Sequence, residues 1–430
     1  MADADARRVV VTGLGVVAPN GVGAAAFERA LRDGRSGVRA IPRMAELGFG
    51  CRVAAVPPDV DEHAAKEFSP DLLRAMNSNH RYAALAALEC WRDAGFARPE
   101  RGDDRVDWET GAVVGTGIGG MDTIAERVVP MTDAGEVRRL GSAVVEQAMA
   151  SGPSARVAGL LGLGNQVTTN SSACATGTEA IVLGAERIRS GRAERMLCGG
   201  SEGASVHAWA GFDSLRVLAR GWNDEPERAS RPLSASAAGF VPGAGAAVLM
   251  LESLASARAR GARIHAELLG GAANCGGQRG GGSMTAPNRT AVVRCIRAAL
   301  ADAAIDPAAV SAINGHCTAT GADPGEVRSW AEALGCAPAA LPPLTATKSL
   351  LGHALGAAGA IEAVASVRML AAGFLHGAPN CEDLHPELAP FAGAVVHETR
   401  AEPELRVLVK AGFGFGDVNA CIVLGRWNGV

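Results

Sequence analysis

The sequence predicts an α/β fold built from two similar halves. Short apolar strand candidates alternate with helix candidates along the 430 residues, and glycines stand where the apolar segments end. Segments of the second half repeat the order of segments in the first, which predicts an internal duplication with halves at 1–255 and 256–430. The alternation of strands and helices also predicts that the sheets are mostly parallel.

The apolar pattern and its stop signals predict the individual elements. Valine-rich runs indicate buried strands, and apolar residues at helical spacing before a glycine indicate helices. The predicted strands of the first half are residues 8–17, 111–115, 166–170 and 196–199, and its helices are 25–32, 82–94 and a helix that follows Cys174 and ends at Arg189. In the second half, the strand SAIN corresponds to the strand at 111–115, and the helix in AIEAVASVRMLAAG corresponds to the helix that follows Cys174.

Composition excludes several classes of protein. Hydrophobic residues make up 48% of the chain and charged residues 20%, which favours a large core over disorder. The net charge of −4 disfavours binding to nucleic acid through phosphates. Ten cysteines without a CxxC pair disfavour a disulfide framework or a zinc cluster. We find no signal peptide and no apolar stretch of roughly 18 residues, so we expect a soluble, cytoplasmic protein that is not bound to a membrane.

Lysine is rare in this chain. Of 41 basic residues only three are lysines, Lys66, Lys348 and Lys410, and the others are arginines. Positions that keep lysine in such a background are therefore candidates for a specific role.

Two glycine-rich patterns suggest a nucleotide site, but their context is wrong. In Gly13-Leu-Gly15-Val-Val-Ala18, a proline follows where the phosphate-binding helix of a dinucleotide fold should already run. The pattern from Gly115 to Gly120 lacks the acidic strand end that such a fold requires. We expect tight strand-to-loop turns and close backbone packing instead.

One cysteine and two histidines stand at junctions between predicted elements. Cys174 lies between a β-branched strand and a helix N-terminus, which predicts a lowered thiol pKa and backbone N–H groups able to hold an oxyanion. His316 ends the strand SAIN, and His353 follows TKSLLG at the start of a helix. Because ligands bind at the carboxyl ends of strands in α/β sheets, we expect the three side chains to converge.

These segments are similar to the β-ketoacyl-ACP synthases of the condensing-enzyme family. The similarity runs nearly end to end, through RRVVVTGLGVVAPNG, GTGIGGM, SSACATG, RPLSASAAGFVPGAGA, SMTAP, NGHCTAT, TKSLLGHALGAAGAIEA and GFGFGDVN. The resemblance implies a thiolase-like five-layer αβαβα fold and a homodimer. It also implies catalysis without a metal or an organic cofactor, on substrates carried by the phosphopantetheine arm of an acyl carrier protein.

The resemblance assigns roles residue by residue. It implies a catalytic triad of Cys174, His316 and His353, supported by a paired lysine and glutamate, Lys348 and Glu362. Phe415 matches an aromatic gate whose N–H joins that of Cys174 in an oxyanion hole. The residues that match substrate contacts, to the pantetheine arm or near the acyl and carrier-protein entrance, are Thr318, Thr320, Phe212, Arg216 and Phe413.

The implied reaction is the decarboxylative condensation of an acyl thioester on Cys174 with malonyl-ACP, as in fatty-acid elongation. The chain departs from the family pattern in places: Asp323 and Glu326 come one residue early, and Asp417 stands where glycine is common. These departures leave a ketosynthase of polyketide or unusual fatty acyl metabolism as an alternative. A non-catalytic chain-length partner would lack the nucleophile. A thiolase would need a second catalytic cysteine, and Cys421 is expected in the core.

Overall fold

The computed structural model describes residues 8–100 and 102–429. Its strands are β1 Val9–Ala18, β2 Gly21–Val22, β3 Val38–Ala40, β4 Val53–Ala55, β5 Thr110–Gly115, β6 Val167–Thr168, β7 Arg195–Glu202, β8 Gly245–Ser253, β9 Ala266–Cys275, β10 Ala312–Asn314, β11 Leu344–Thr345, β12 Phe374–Leu375, β13 Arg400–Ala401, β14 Val407–Gly414 and β15 Val418–Arg426. The strands predicted in the first half are confirmed, although the one at 166–170 is shortened to β6.

The helices lie between the strands, as predicted. The α-helices are α1 Ala24–Arg32, α2 Pro42–Glu46, α3 Val60–Glu67, α4 Pro70–Arg74, α5 Ser78–Asp93, α6 Met121–Thr123, α7 Val129–Asp133, α8 Val144–Ala148, α9 Gly152–Leu161, α10 Thr176–Arg189, α11 Val206–Ser214, α12 Leu254–Ala259, α13 Arg289–Asp302, α14 Asp323–Leu334, α15 Lys348–Leu351 and α16 Ala358–Ala372. A π-helical turn, Ile124–Val128, joins α6 to α7. The 3₁₀ turns are Val137–Arg139, Ala173–Ala175, Pro226–Arg228, Pro307–Ala309, Pro338–Ala340, Leu355–Ala357 and Pro386–Ala394.

The main sheet repeats one strand order in the two halves of the chain. The order β6-β5-β7-β8-β1 recurs as β11-β10-β14-β15-β9, and in each set the first two pairings are parallel and the last two antiparallel. A short pairing of β1 with β9 joins the two sets. The internal duplication is therefore confirmed, and the boundary between residues 255 and 256 stays a prediction.

The prediction of mostly parallel sheets is wrong. Among the strands of the described residues, parallel pairs occur only at the two ends of the main sheet, and the pairs between them are antiparallel. One cause is local: β14 and β15 are joined by a short turn, and a short turn permits only antiparallel pairing.

Layers of helices alternate with the two sets of strands that form the main sheet. The helices α10 and α16 lie in the middle, because each contacts strands of both repeats, including β7, β14 and β15. Outer helices α5 and α9 pack on the first repeat, and α13 packs on β9 and β15 of the second. The predicted five-layer αβαβα arrangement is thus confirmed, and it buries the N-terminal ends of α10 and α16 against each other.

One stretch, Leu355–Ala372, is long and apolar enough to cross a membrane. The expectation that no segment reaches this length is therefore wrong. However, 83% of the stretch is buried inside the fold, where α16 forms part of the middle layer. We therefore interpret it as a core helix.

Gly13 and Gly15 allow β1 to lie directly on α5. A Cβ atom on either residue would fall inside the contact distance of a backbone carbonyl oxygen of α5, that of Cys90 or Ala86. The expected close backbone packing is confirmed, but the expected turn is wrong here, since both glycines lie within β1. The glycines therefore serve strand–helix packing.

We expect Gly15→Ala to destabilise the fold by ~1–3 kcal/mol or more, because the clash is with backbone that cannot rotate away. The control is Gly159→Ala on α9, where nothing lies within 4 Å of the new Cβ. It should stabilise the protein by up to about 1 kcal/mol. Urea unfolding of both variants measures the difference, and equal stabilities would contradict this account of β1.

Candidate active site

The structure brings Cys174, His316 and His353 together. Cys174 lies in the 3₁₀ turn between β6 and α10, His316 follows β10, and His353 follows α15. One side-chain donor atom from each residue lies within 4.8 Å of the other two. The imidazole centroids are 5.4 Å apart with their planes at 85°. The three side chains therefore meet at one point, as their junction positions predicted.

Unusual backbone conformations fix this point. Ala173, immediately before Cys174, has φ 47°, and Leu355, two residues after His353, also has φ 47°. Non-glycine residues rarely adopt this left-handed region, and such strain often marks functional sites. Gly414 is needed for close approach, because a Cβ there would lie 2.6 Å from the carbonyl oxygen of Ser172 and 3.1 Å from the nitrogen of Cys174.

Both histidines are held neutral, with the proton on Nε2. The backbone N–H of Leu355 donates to Nδ1 of His353 over 3.2 Å. The ammonium of Lys348 lies 3.1 Å from Nδ1 of His316. These donors assign Nδ1 as the acceptor in each ring. Burial, with a further contribution from Lys348, lowers the pKa of both imidazoles well below the ordinary 6.5.

The thiol of Cys174 is protonated in the resting site. Burial raises its pKa from the ordinary 9.0 to about 11, while Lys348 and a hydrogen bond from the backbone of Phe415 act in the opposite direction. The prediction of a lowered thiol pKa is therefore wrong, because enclosure among aromatic side chains penalises the thiolate more than these groups favour it. The proton must therefore leave the sulfur as the sulfur attacks.

A cluster of buried charges lies beneath the histidines. Lys348 and Glu362 form an ion pair, as the resemblance implied, with side chains only 3% and 2% exposed. A third member, Lys410, was not assigned from the sequence: its Nζ lies 3.0 Å from Oε2 of Glu362 and donates to Oγ1 of Thr178 over 2.6 Å. The rarity of lysine in the sequence could have pointed to Lys410 as a functional residue.

Glu202 was also missed. Its buried carboxylate accepts the backbone N–H groups of Gly117 and Ile118 in the first half, at 2.8 and 3.1 Å, and of Gly356 in the second, at 2.9 Å. The glycine-rich segment after β5 thus binds a carboxylate of the chain itself. The only signal in the sequence was an acidic residue ending the apolar strand β7.

Asp323 and Glu326, which stand one residue earlier than in the family pattern, still hold the loop that begins at His316. Glu326 accepts the backbone N–H groups of His316 and Cys317 at 2.6 and 2.8 Å. Asp323 accepts those of Thr318 and Ala319 at 2.8 and 3.1 Å. The one-residue shift therefore leaves His316 and the following segment anchored.

A cavity of about 490 Å³ opens onto the triad. Its walls include the predicted gate, Phe415, and four of the five residues predicted to contact substrate, namely Phe212, Phe413, Thr318 and Thr320. The hydroxyls of the two threonines lie 3.0 Å apart, and the rings of Phe212 and Phe415 are 6.1 Å apart. Arg216 is not brought to the cavity: it is exposed beyond the end of α11, and its neighbour Val217 lines the wall instead.

Asp417 fastens the Phe415 loop to a neighbouring segment. Its buried carboxylate accepts the backbone N–H groups of Gln278 and Asn288 at 3.0 and 2.7 Å. The N–H of Gly416 donates to the carbonyl of Met284 over 2.8 Å. The acid that replaces a common glycine therefore ties the gate loop to residues 276–288.

The triad is also a possible donor set for a metal. A thiolate and two imidazoles in this proximity suit zinc. The expectation that no metal takes part stays a prediction.

Comparison with known proteins identifies the class. The chain matches the N-terminal domain of β-ketoacyl synthases over residues 6–257 and their C-terminal domain over residues 265–382. The chain therefore belongs to the β-ketoacyl synthase family. It is 34% identical over 97% of its length to the chloroplastic 3-oxoacyl-[acyl-carrier-protein] synthase I of Arabidopsis thaliana, covering 86% of that protein.

Solved structures extend the similarity to the whole fold. A β-ketoacyl synthase from Burkholderia phymatum matches with a TM-score of 0.87 and 32% identity, over 98% of this chain and all of that one. A type II PKS ketosynthase, solved with its acyl-carrier protein, matches with a TM-score of 0.86 and 29% identity over the same shares.

The raised thiol pKa predicts how Cys174 reacts with iodoacetamide. Only the thiolate is alkylated, so the rate should climb about tenfold per pH unit from pH 6 to pH 10 without a plateau. Peptide mass spectrometry follows the reaction, with Cys174→Ala as the control for the assignment and the exposed Cys275 as an internal thiol reference. If the alkylation rate instead reached a plateau below pH 8, the raised pKa would be contradicted and the lowered pKa predicted from the sequence would be supported.

Proposed function

We propose that this protein condenses an acyl group carried on Cys174 with malonyl-ACP, releasing CO₂ and forming 3-oxoacyl-ACP. The observation that carries the proposal is the meeting of the Cys174 thiol and two neutral imidazoles at a cavity of about 490 Å³. The relatives named 3-oxoacyl-ACP synthase support the same chemistry.

In the first half-reaction, the sulfur of Cys174 attacks the carbonyl carbon of an acyl thioester. The thiol proton is transferred to the departing carrier thiolate, which leaves as a thiol, so that no proton is lost overall. The backbone N–H groups of Cys174 and Phe415 hold the oxyanion that forms in between. A hydrogen bond between the backbone of Phe415 and the sulfur of Cys174 supports this role.

In the second half-reaction, malonyl thioester loses CO₂ and its C–C electron pair moves onto the thioester oxygen as an enolate. The Nε2–H groups of His316 and His353 donate to that oxygen, because the proton of each neutral ring lies on Nε2. The enolate carbon then attacks the acyl group, and the sulfur of Cys174 leaves as a thiolate that takes up one proton from solvent.

The carrier protein is the proposed partner. A solved relative is a ketosynthase in complex with its acyl-carrier protein, which supports such a partner here. The hydroxyls of Thr318 and Thr320 line the cavity, where they can hydrogen-bond a phosphopantetheine arm. We propose that this arm only carries substrate and that no metal or organic cofactor is needed. A cytoplasmic location stays a prediction.

A ketosynthase of polyketide or unusual fatty acyl metabolism would use the same residues and differ in its acyl group and carrier. The observation that supports this alternative is the anchoring of the gate loop by Asp417, which stands where glycine is common in the family. Condensation assays with C2 to C16 acyl groups on the fatty-acid carrier and on a dedicated carrier decide between the two.

Different substitutions should impair the two half-reactions, acylation of Cys174 and decarboxylation of malonyl-ACP. Intact-protein mass spectrometry after incubation with acyl-ACP should show an adduct that Cys174→Ala abolishes and Cys275→Ala keeps. His316→Ala and His353→Ala should reduce CO₂ release from malonyl-ACP by roughly 10²–10³-fold each, as expected when an oxyanion donor is lost. An adduct that persists in Cys174→Ala, or normal CO₂ release in both histidine variants, would refute the assignment.

We also propose a homodimer through the edge of the sheet at β6. In the described part of the chain, β6 pairs with β5 alone, so its other edge is open to a second strand. Nearby Trp108 is 68% exposed and Val106 43% exposed, which is typical of a covered apolar face.

Light scattering should therefore give the mass of a dimer at micromolar concentration. Trp108→Glu should weaken the dimer, because it places a charge in the apolar contact, whereas Leu47→Glu, at another exposed apolar position, should not. A monomeric wild-type protein would contradict the proposal.

A further inference from the structure

We propose that Lys410 is a positioning residue for decarboxylation, which holds Glu362 and supplies positive charge behind His316 and His353. The proposal rests on the proposed condensation reaction. It assigns a role to the one buried lysine that neither the triad nor the Lys348–Glu362 pair explains.

The contacts of Lys410 connect three elements at the base of the site. Lys410 lies on β14, three residues before Phe413, and is fully buried. Its Nζ reaches Glu362 on α16 over 3.0 Å and Thr178 on α10 over 2.6 Å. A Cβ on Gly412 would lie 3.3 Å from this Nζ, so the glycine leaves room for the ammonium.

Charge neutralisation alone does not require this lysine. Glu362 already has Lys348 as an ion-pair partner. A buried ammonium costs several kcal/mol of desolvation, and apolar residues can often replace buried ions without loss of stability. Two ammonium groups against one carboxylate leave an excess positive charge beneath the histidines when all three groups are ionised.

That excess charge acts on both imidazoles. Lys410 is among the groups that lower the pKa of His316 and of His353, after burial and Lys348. Burial also lowers the pKa of Lys410 itself, which Glu362 opposes. The other titratable groups that face this cluster among the described residues are Cys174, Glu202, Cys317, Glu326, His376 and Cys421. When malonyl thioester loses CO₂, the negative charge appears on the enolate oxygen, and Lys410 neither gains nor loses a proton.

The test compares Lys410→Met, which removes the charge at similar length, with Lys410→Gln, which keeps a hydrogen-bond donor. Lys66→Met is the matched control, since Lys66 is exposed on α3. CO₂ release from malonyl-ACP is measured from pH 5 to pH 9, and Cys174 acylation separately. Both Lys410 variants should release CO₂ about tenfold more slowly at pH 7, as for the loss of one pKa unit of electrostatic stabilisation.

The pH profile separates an electrostatic role from a structural one. Removing Lys410 raises the pKa of the histidines, so they become protonated at higher pH and the acid limb of the profile should move upward in both variants. Acylation should change much less. A uniform fall at every pH with an unchanged acid limb would overturn the proposal. Wild-type protein that releases no CO₂ would instead refute the condensing function.

A second measurement needs no variant. Because the chain has three lysines, ¹⁵N,¹³C-lysine labelling gives three side-chain signals that can be titrated separately. Lys410 should remain charged at pH 7. A neutral Lys410 at pH 7 would overturn the proposal even if both variants fail to fold.

Discussion

The carboxylate of Glu362 holds two buried ammonium groups, and the geometry of the site depends on this contact. Glu362 lies on α16, an otherwise mostly apolar helix in the middle layer of the fold. Its partners come from α15 and β14. An uncompensated charge at this depth would cost several kcal/mol, so the three elements are stable only in the register that brings the charges together. Lys348 in turn contacts His316, and Phe413 follows Lys410 on the same strand.

Contacts across the two halves complete the frame. Glu202, at the end of β7, accepts N–H groups from the loop after β5 and from the start of the 3₁₀ turn before α16. Cys174 comes from the first repeat and both histidines from the second. Because equivalent elements of a duplicated fold face each other, a nucleophile on one and donors on the other meet without any long connecting loop.

The sequence could predict what depends on local patterns. Strand–helix alternation, glycine stops and junction positions were enough for most elements and for the convergence of Cys174, His316 and His353. Strand direction was not predictable from alternation, since pairing is decided between distant segments. The pKa of the thiol was mispredicted because a helix N-terminus is visible in the sequence, whereas the enclosing side chains are not. The roles of Lys410 and Glu202 were not predicted, because most of their partners lie more than 50 residues away in the sequence. The exception is Glu362, which Lys410 shares with Lys348.

The placement of the positive charge suits loss of CO₂ better than a direct contact would. The ammonium of Lys348 approaches Nδ1 of His316, on the side of the ring opposite the proton-bearing Nε2. The charge therefore lies behind the imidazoles and not in the cavity. An ammonium bound directly to the malonyl carboxylate would stabilise the ground state, in which that carboxylate is charged, and would raise the barrier to decarboxylation. Placed behind neutral donors, the same charge acts on the enolate oxygen, where negative charge develops in the transition state, and so favours the reaction.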